Sequence, residues 1–157
     1  MDSKRFIHFT QMVDTTQKCV KKIEQHFAPR FGVKSVHIFW LHELRLNPEG
    51  LTATELATRR MVDRSLISRE MDDLKRQGLV ETKLCGGKNY NARLRLTAKG
   101  IAIADQIAEA ALSVQHMASS DMTAEELLQF YTTFEKIRDR LIAIATNMDK
   151  EDIAHEQ

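Results

Sequence analysis

The stretch Leu51-Thr52-Ala53-Thr54-Glu55-Leu56-Ala57-Thr58-Arg59-Arg60, followed by Met61-Val62-Asp63 and then Arg64-Ser65-Leu66-Ile67-Ser68-Arg69, decides the fold. Thr52 and Glu55 have the spacing of a capping box: the hydroxyl accepts from the amide three residues on, and the carboxylate reaches back to the first amide. A short helix starts there, with Leu56 and Ala57 inward, and runs out near Arg60. Met61-Val62-Asp63 reads as a turn, with Asp63 as the N-cap of a second helix from Arg64 to Gln77. Ile67, Met71 and Leu74 share one face of that helix, and Gly78 is placed to end it in a left-handed conformation. Two short helices joined by a tight turn make a helix-turn-helix.

After Gly78 the period changes to two. Leu79, Glu81, Lys83 and Cys85 alternate with Val80, Thr82 and Leu84, and Tyr90, Ala92, Leu94 and Leu96 alternate with Asn91, Arg93, Arg95 and Thr97. Between them Cys85-Gly86-Gly87-Lys88-Asn89 is a loop with two glycines, so the segment predicts a hairpin with a basic outer face, a wing.

The flanks are helical. Phe6, Phe9, Val13, Val20, Ile23 and Phe27 recur every three, four or seven residues, one face of a long first helix ended by Pro29 and Gly32. Ser35 to about Leu46 is apolar on nearly all sides (Val36, Ile38, Phe39, Trp40, Leu41, Leu44) and should be a buried hub, followed by a turn at Asn47-Pro48-Glu49-Gly50. Ala98 to about Met117 is an alanine-rich helix. Thr123-Ala124-Glu125-Glu126 is a second capping box, opening a last helix with Leu127, Phe130, Tyr131, Phe134, Ile137, Leu141 and Ile144 on one side. The expected fold class is mainly α with a small β-hairpin wing. Residues 47–97 form the winged helix-turn-helix, residues 1–46 and 98–149 a helical dimerisation domain, and 150–157 a frayed tail.

The chain has 157 residues and a net charge of +1, but the charge is unevenly placed. Residues 58–100 carry eleven basic and five acidic side chains, whereas residues 101–157 carry four and eleven. A basic segment within a neutral chain is the footprint of a polyanion-binding surface. No apolar run approaches the roughly 20 residues of a membrane helix. The first residues lack the pattern of a secretory signal, and two distant cysteines make no disulfide framework. A soluble, cytoplasmic protein without a membrane partner is expected. No nucleophile elbow, phosphate-binding glycine loop or readable Cys–His pair is present, so an enzyme is not expected, nor any cofactor. The aromatic area on the first and last helices, together with the weak grip of a single helix-turn-helix on DNA, argues for a homodimer.

Leu51-Thr52 with Glu55-Leu56-Ala57, the Arg64-Ser65 and Ser68-Arg69 pairs, and the exit Leu96-Thr97-Ala98-Lys99-Gly100 occur together in order. In this the chain resembles the MarR family of winged helix-turn-helix transcription regulators. The resemblance implies a dimer with interlocked terminal helices, the Arg64–Gln77 helix in the major groove and the wing in the adjacent minor groove. It also implies control by a small organic ligand, a metal or an oxidant. The family's wing usually carries an Asp-x-Arg element; the matching positions here are Lys88-Asn89-Tyr90.

Arg64, Ser65, Ser68 and Arg69 lie away from the core face and suit base and phosphate contact, because arginine pairs bidentately with guanine and serine bonds to bases or phosphates. Thr54, Arg59, Arg60, Lys75 and Arg76 are expected to hold the backbone or remain in solvent, and Lys88, Asn89 and Arg93 to follow a groove from the wing. Asp72 and Asp73 should turn from the phosphates or brace an arginine. The family's effector station implies His8, Met12, His37 and Trp40 (with Phe39) as ligand contacts, although Trp40 and Phe39 read equally well as core. Cys19, among Lys18, Lys21 and Lys22, could favour a thiolate, but beside the apolar stripe it reads as a buried, inert thiol. His8, His26, His37, His42, His116 and His155 form no ligand motif, so no metal site is expected. The chief rival to a DNA-binding regulator is a winged-helix module used for protein–protein contact.

Overall fold

The computed structural model describes residues 3–83 and 92–155, with side chains for residues 4–83 and 92–148. Its helices are α1 (Ser3–Phe27), α2 (Ser35–Leu46), α3 (Ala53–Arg60), α4 (Arg64–Arg76), α5 (Ala98–Ala118) and α6 (Ala124–His155). A 3-10 turn, Ala28–Phe31, links α1 to α2, and strands β1 (Val80–Lys83) and β2 (Arg93–Leu96) lie between α4 and α5. The chain divides into two compact units, residues 1–112 and 113–157.

The first unit is built around the helix-turn-helix. The Thr52 capping box closes as its spacing requires: the Glu55 amide donates to Thr52 Oγ1 at 3.1 Å, and the Thr52 amide to Glu55 Oε2 at 2.7 Å. The Thr52 amide, foremost, and the Thr52 hydroxyl, which donates to the same Glu55 oxygen at 2.9 Å, hold the Glu55 carboxyl below its usual range. Met61 ends α3 at φ 52°, in the left-handed region. Asp63 occupies the N-cap position of α4, but its side chain makes no capping bond; only its carbonyl accepts, from Leu66 and Ile67. The carboxylate is exposed, where water competes for it. Gly78, at φ 70°, ends α4, and the Leu79 amide returns to the Leu74 carbonyl at 3.0 Å.

The strands pair antiparallel, with Val80 opposite Leu96 and Thr82 opposite Leu94. Leu51 adds a bridge to Leu94, its amide donating at 3.0 Å and its carbonyl accepting at 2.8 Å. The Leu96–Gly100 exit is a joint. Thr97 Oγ1 accepts from the Gly100 amide at 3.1 Å and donates to the Gly78 carbonyl at 2.7 Å. A Cβ at Gly100 would overlap the Leu79 carbonyl oxygen, so only glycine lets α5 start so close to the strand.

Under these elements lies one core. It joins Trp40, Leu41 and Leu44 from α2, Leu56 from α3, Ile67, Met71 and Leu74 from α4, Val80 and Leu94 from the strands, and Ala104 and Ile107 from α5. Each large side chain sealed there contributes about 1.5–3 kcal/mol. The hub role of α2 is observed, although Leu46 at its end is exposed. Arg45 ties α2 to α5 through Asp105 at 2.7 Å.

α1 leaves its apolar stripe uncovered, with Phe6, Ile7, Met12, Val13, Val20 and Ile23 all exposed. Cys19 is exposed as well, against the expectation of a buried thiol, because the stripe it flanks, with Val20 and Ile23, is itself exposed.

The second unit is dominated by α6. Its capping box closes, with Thr123 Oγ1 accepting from the Glu126 amide at 3.2 Å and the Thr123 amide donating to Glu126 Oε2 at 2.8 Å. Leu128, Phe130, Tyr131, Ile137, Leu141 and Ile144 are exposed along it. Phe130 stacks on Phe134 at 5.7 Å and meets Tyr131 edge-on at 5.4 Å. The helix continues to His155, through most of the segment expected to fray. No helix among the described residues is long and apolar enough to cross a membrane.

Candidate nucleic-acid interface

α4 is amphipathic because its apolar side chains recur at positions 67, 71 and 74, and burying them turns the other face to solvent. Arg64, Ser65, Ser68, Arg69 and Asp72 are exposed on it. Ser68 Oγ donates back to the Arg64 carbonyl at 3.2 Å, which leaves its oxygen free to accept. Among the described residues, Arg64 and Arg69 enter no ion pair, so their guanidinium groups are available to an external anion. The structure therefore brings together Arg64, Ser65, Ser68 and Arg69 as one exposed polar surface.

The other basic candidates are mostly spoken for within the chain. Arg59 Nη1 pairs with Glu43 at 2.7 Å, and its Nη2 donates to Asn47 Oδ1 at 3.3 Å. Arg60 lies over the Phe39 ring at 4.2 Å, a cation–π contact. Arg93, expected at the groove, is half-buried and donates to the Gly50 carbonyl at 2.7 Å, while Arg95 binds the Glu49 carbonyl and carboxylate. Both arginines brace the turn before α3 against β2. Thr54 is exposed on α3. Lys88 and Asn89, with Tyr90 and Cys85, lie outside the described residues.

Behind the exposed face, α4 is tied to the start of α2 by polar groups. His37 is fully buried, and its Nε2 lies 3.0 Å from Glu70 Oε2 and 3.6 Å from Asp73 Oδ2. Asp73 also pairs with Lys34, and with Arg76 at 3.0 Å. Lys34, foremost, and Arg76 pull the Asp73 carboxyl down to about 2, and Asp73 in turn raises Lys34. Burial pushes His37 below its ordinary 6.5, against the pull of the Glu70 hydrogen bond. The imidazole is thus neutral near pH 7. Its Nδ1 accepts a long bond, 3.5 Å, from the Lys34 amide, which assigns the ring proton to Nε2, donating to Glu70.

That assignment bears on metal binding. His37, Glu70 and Asp73 offer ligand atoms within 4.8 Å of one another, enough in spacing for a cation. A metal on Nε2 would move the proton to Nδ1, where it would face the Lys34 N–H, and the Lys34 ammonium already neutralises Asp73. The group fits an ion-paired hydrogen-bond cluster better than a metal centre. The local sequence pattern missed it, because His37 and Glu70 are 33 residues apart. The readable signal was two acids, Glu70 and Asp73, set three apart beside the apolar face of α4, and bracing of an arginine by Asp73 was among the expectations.

The residues suggested as effector contacts differ in exposure. His8 and Met12 are exposed on α1, whereas His37 and Trp40 are fully buried. Trp40 belongs to the core, and no ligand reaches it or His37 unless the core opens.

Residues 31–87 match the model of the MarR family, a family of transcription regulators rather than enzymes. No curated protein matches the chain. Among solved structures, it is similar to a putative MarR family regulator from Listeria monocytogenes complexed with 26mer DNA: TM-score 0.78 and 17% identity, covering 84% of this chain and 87% of that one. A mutant MarR from E. coli complexed with operator DNA gives 0.71 and 18%, covering 87% and 99%. A MarR family regulator from Silicibacter pomeroyi gives 0.71 and 21%, covering 80% and 84%.

Proposed function

From a chain that carries a MarR-family domain in residues 31–87 and has the winged-helix fold of that family's transcription regulators, we propose a dimeric, sequence-specific DNA-binding repressor. Its operator is an inverted repeat, and a small-molecule effector relieves repression. The observation that carries the reading is the exposed face of α4, where Arg64 and Arg69 are unpaired among the described residues and flank Ser65 and Ser68.

Each copy reads one half-site with α4, the two helices sitting about one DNA turn, roughly 34 Å, apart. Thr54, the wing residues Lys88 and Asn89, and the helix N-terminus hold phosphates. Arg59 and Arg93 join only if DNA draws them from Glu43 and Gly50. The second copy covers the apolar faces of α1 and α6. The effector acts by preferring the non-binding geometry, with His8 and Met12 as its accessible contacts and His37 and Trp40 reached only in an opened form. Such a regulator works in the cytoplasm, beside the DNA.

Selection of genomic fragments by the purified chain, at about 0.15 M salt to suppress purely electrostatic binding, tests the reading. Enrichment of an inverted repeat supports it. If nothing is enriched, even by protein stripped of ligands, the winged helix serves protein contact instead.

A further inference from the structure

The contacts behind α4 differ in kind, and that difference has a consequence. Ile67, Met71 and Leu74 anchor the helix by apolar packing, which is non-directional and tolerates small rolls about the helix axis. Hydrogen bonds to fixed polar groups do not tolerate them. Two polar ties cross from α4 to the start of α2, one turn apart: Glu70 to His37, and Asp73 to Lys34. Two fixed points set both the roll and the axial position of a helix. Glu70 follows Arg69 directly, so with about 100° between successive side chains, holding Glu70 against His37 holds Arg69 outward.

We infer that the Lys34/His37–Glu70/Asp73 cluster is a latch, with His37 and Glu70 as positioning residues that set the pose of α4 on DNA. The inference rests on the DNA-binding reading above. His37 cannot touch DNA from its buried position; it acts through Glu70. The latch is seated on the segment where α1 gives way to α2. There the Val33 amide returns to the Ala28 carbonyl at 3.2 Å and Gly32 closes the 3-10 turn, so a shift of that junction moves Lys34 and His37 and, through them, the face carrying Arg69. The hydrogen bond, rather than the charge of Glu70, carries the tie, because a neutral imidazole donates from Nε2 and needs only an oxygen acceptor.

The test compares Glu70→Gln with Glu70→Leu in the full chain. Both remove the same charge, but glutamine keeps an oxygen for Nε2–H and leucine does not. Affinity for the fragment that wild type enriches, and the slope of affinity against salt, are measured well below the melting temperature. Glu70→Gln is expected within about twofold of wild type. Glu70→Leu is expected to fall about two- to thirty-fold below Glu70→Gln, with the same salt slope, since no phosphate contact is lost. Equal affinities for the two variants, or a drop confined to melting temperature, would overturn the latch. A wild type that enriches nothing would instead end the DNA reading, and the latch with it. As a separate readout, nitrogen–proton correlation spectra of the histidines should show His37 protonated at Nε2, with no change on adding zinc; a proton on Nδ1 would refute the arrangement.

Discussion

His37 shows how one residue's surroundings override its sequence context. Beside Trp40 and Phe39 it read as a ligand contact; burial, against the pull of Glu70, holds it neutral, and its Nε2 donates to Glu70 inside the fold. Because its pKa is lowered in the folded state, the unfolded chain binds more protons between that value and 6.5. Stability is therefore expected to be level above pH 6.5 and to fall as pH drops below it, until the folded-state histidine titrates. Urea unfolding of wild type and His37→Gln between pH 7.5 and 5 should show that fall largely missing in the variant. Asp73 adds a second, more acidic loss: its carboxyl is depressed from 3.8 to about 2, so its contribution is present above pH 3.8 and vanishes as pH falls through 2. On the exposed side, Arg69→Ala should weaken binding to the enriched operator by about 1–3 kcal/mol and relax specificity at one base position. Unchanged affinity in a fluorescence titration would mean that α4 does not read bases through Arg69.

Among the elements, those fixed by short-range chemistry follow the sequence closely. Both capping boxes, the extent of α2 and the left-handed Gly78 stand where spacing put them, because each rests on atoms three to five residues apart. The loss of the expected Asp63 cap has the converse reason: an exposed carboxylate bonds water as readily as an amide. Gly100 belongs to this scale too. Its substitution by alanine would force a Cβ onto the Leu79 carbonyl and push α5 from the strand. We expect Gly100→Ala to cost about 1–3 kcal/mol, or more if the joint cannot shift, read as a lower urea midpoint at unchanged slope. Thr97 and Gly100 thus act as one joint, which explains their spacing in the Leu96–Gly100 exit.

For the whole molecule, the uncovered apolar stripes on α1 and α6 are the dominant fact. Phe6 is 61% exposed and Phe130 56%. Large apolar side chains left in a row on water are the mark of an interface, which a second copy would satisfy. Sedimentation equilibrium should find wild type dimeric and Phe130→Asp shifted toward monomer. If the proposed half-site reading holds, Phe130→Asp should also lose affinity for an inverted repeat far more than for a single half-site. A wild type that stays monomeric at tens of micromolar would remove the dimer from the proposal.

The sequence by itself determined the elements, their order and the outward face of α4, because period, caps and turn residues act over a few positions. It also marked the basic segment. Which of the basic groups stay available was decided only by the tertiary structure. Arg59, Arg93 and Arg95 belong to the same basic segment as Arg64 and Arg69, yet they are bound to Glu43, Gly50 and Glu49. The pairing of His37 with Glu70 and the exposure of Cys19 also depend on chain segments far apart in sequence or on faces left without cover. Local pattern states which face a side chain takes, and only the packed chain states what meets it there.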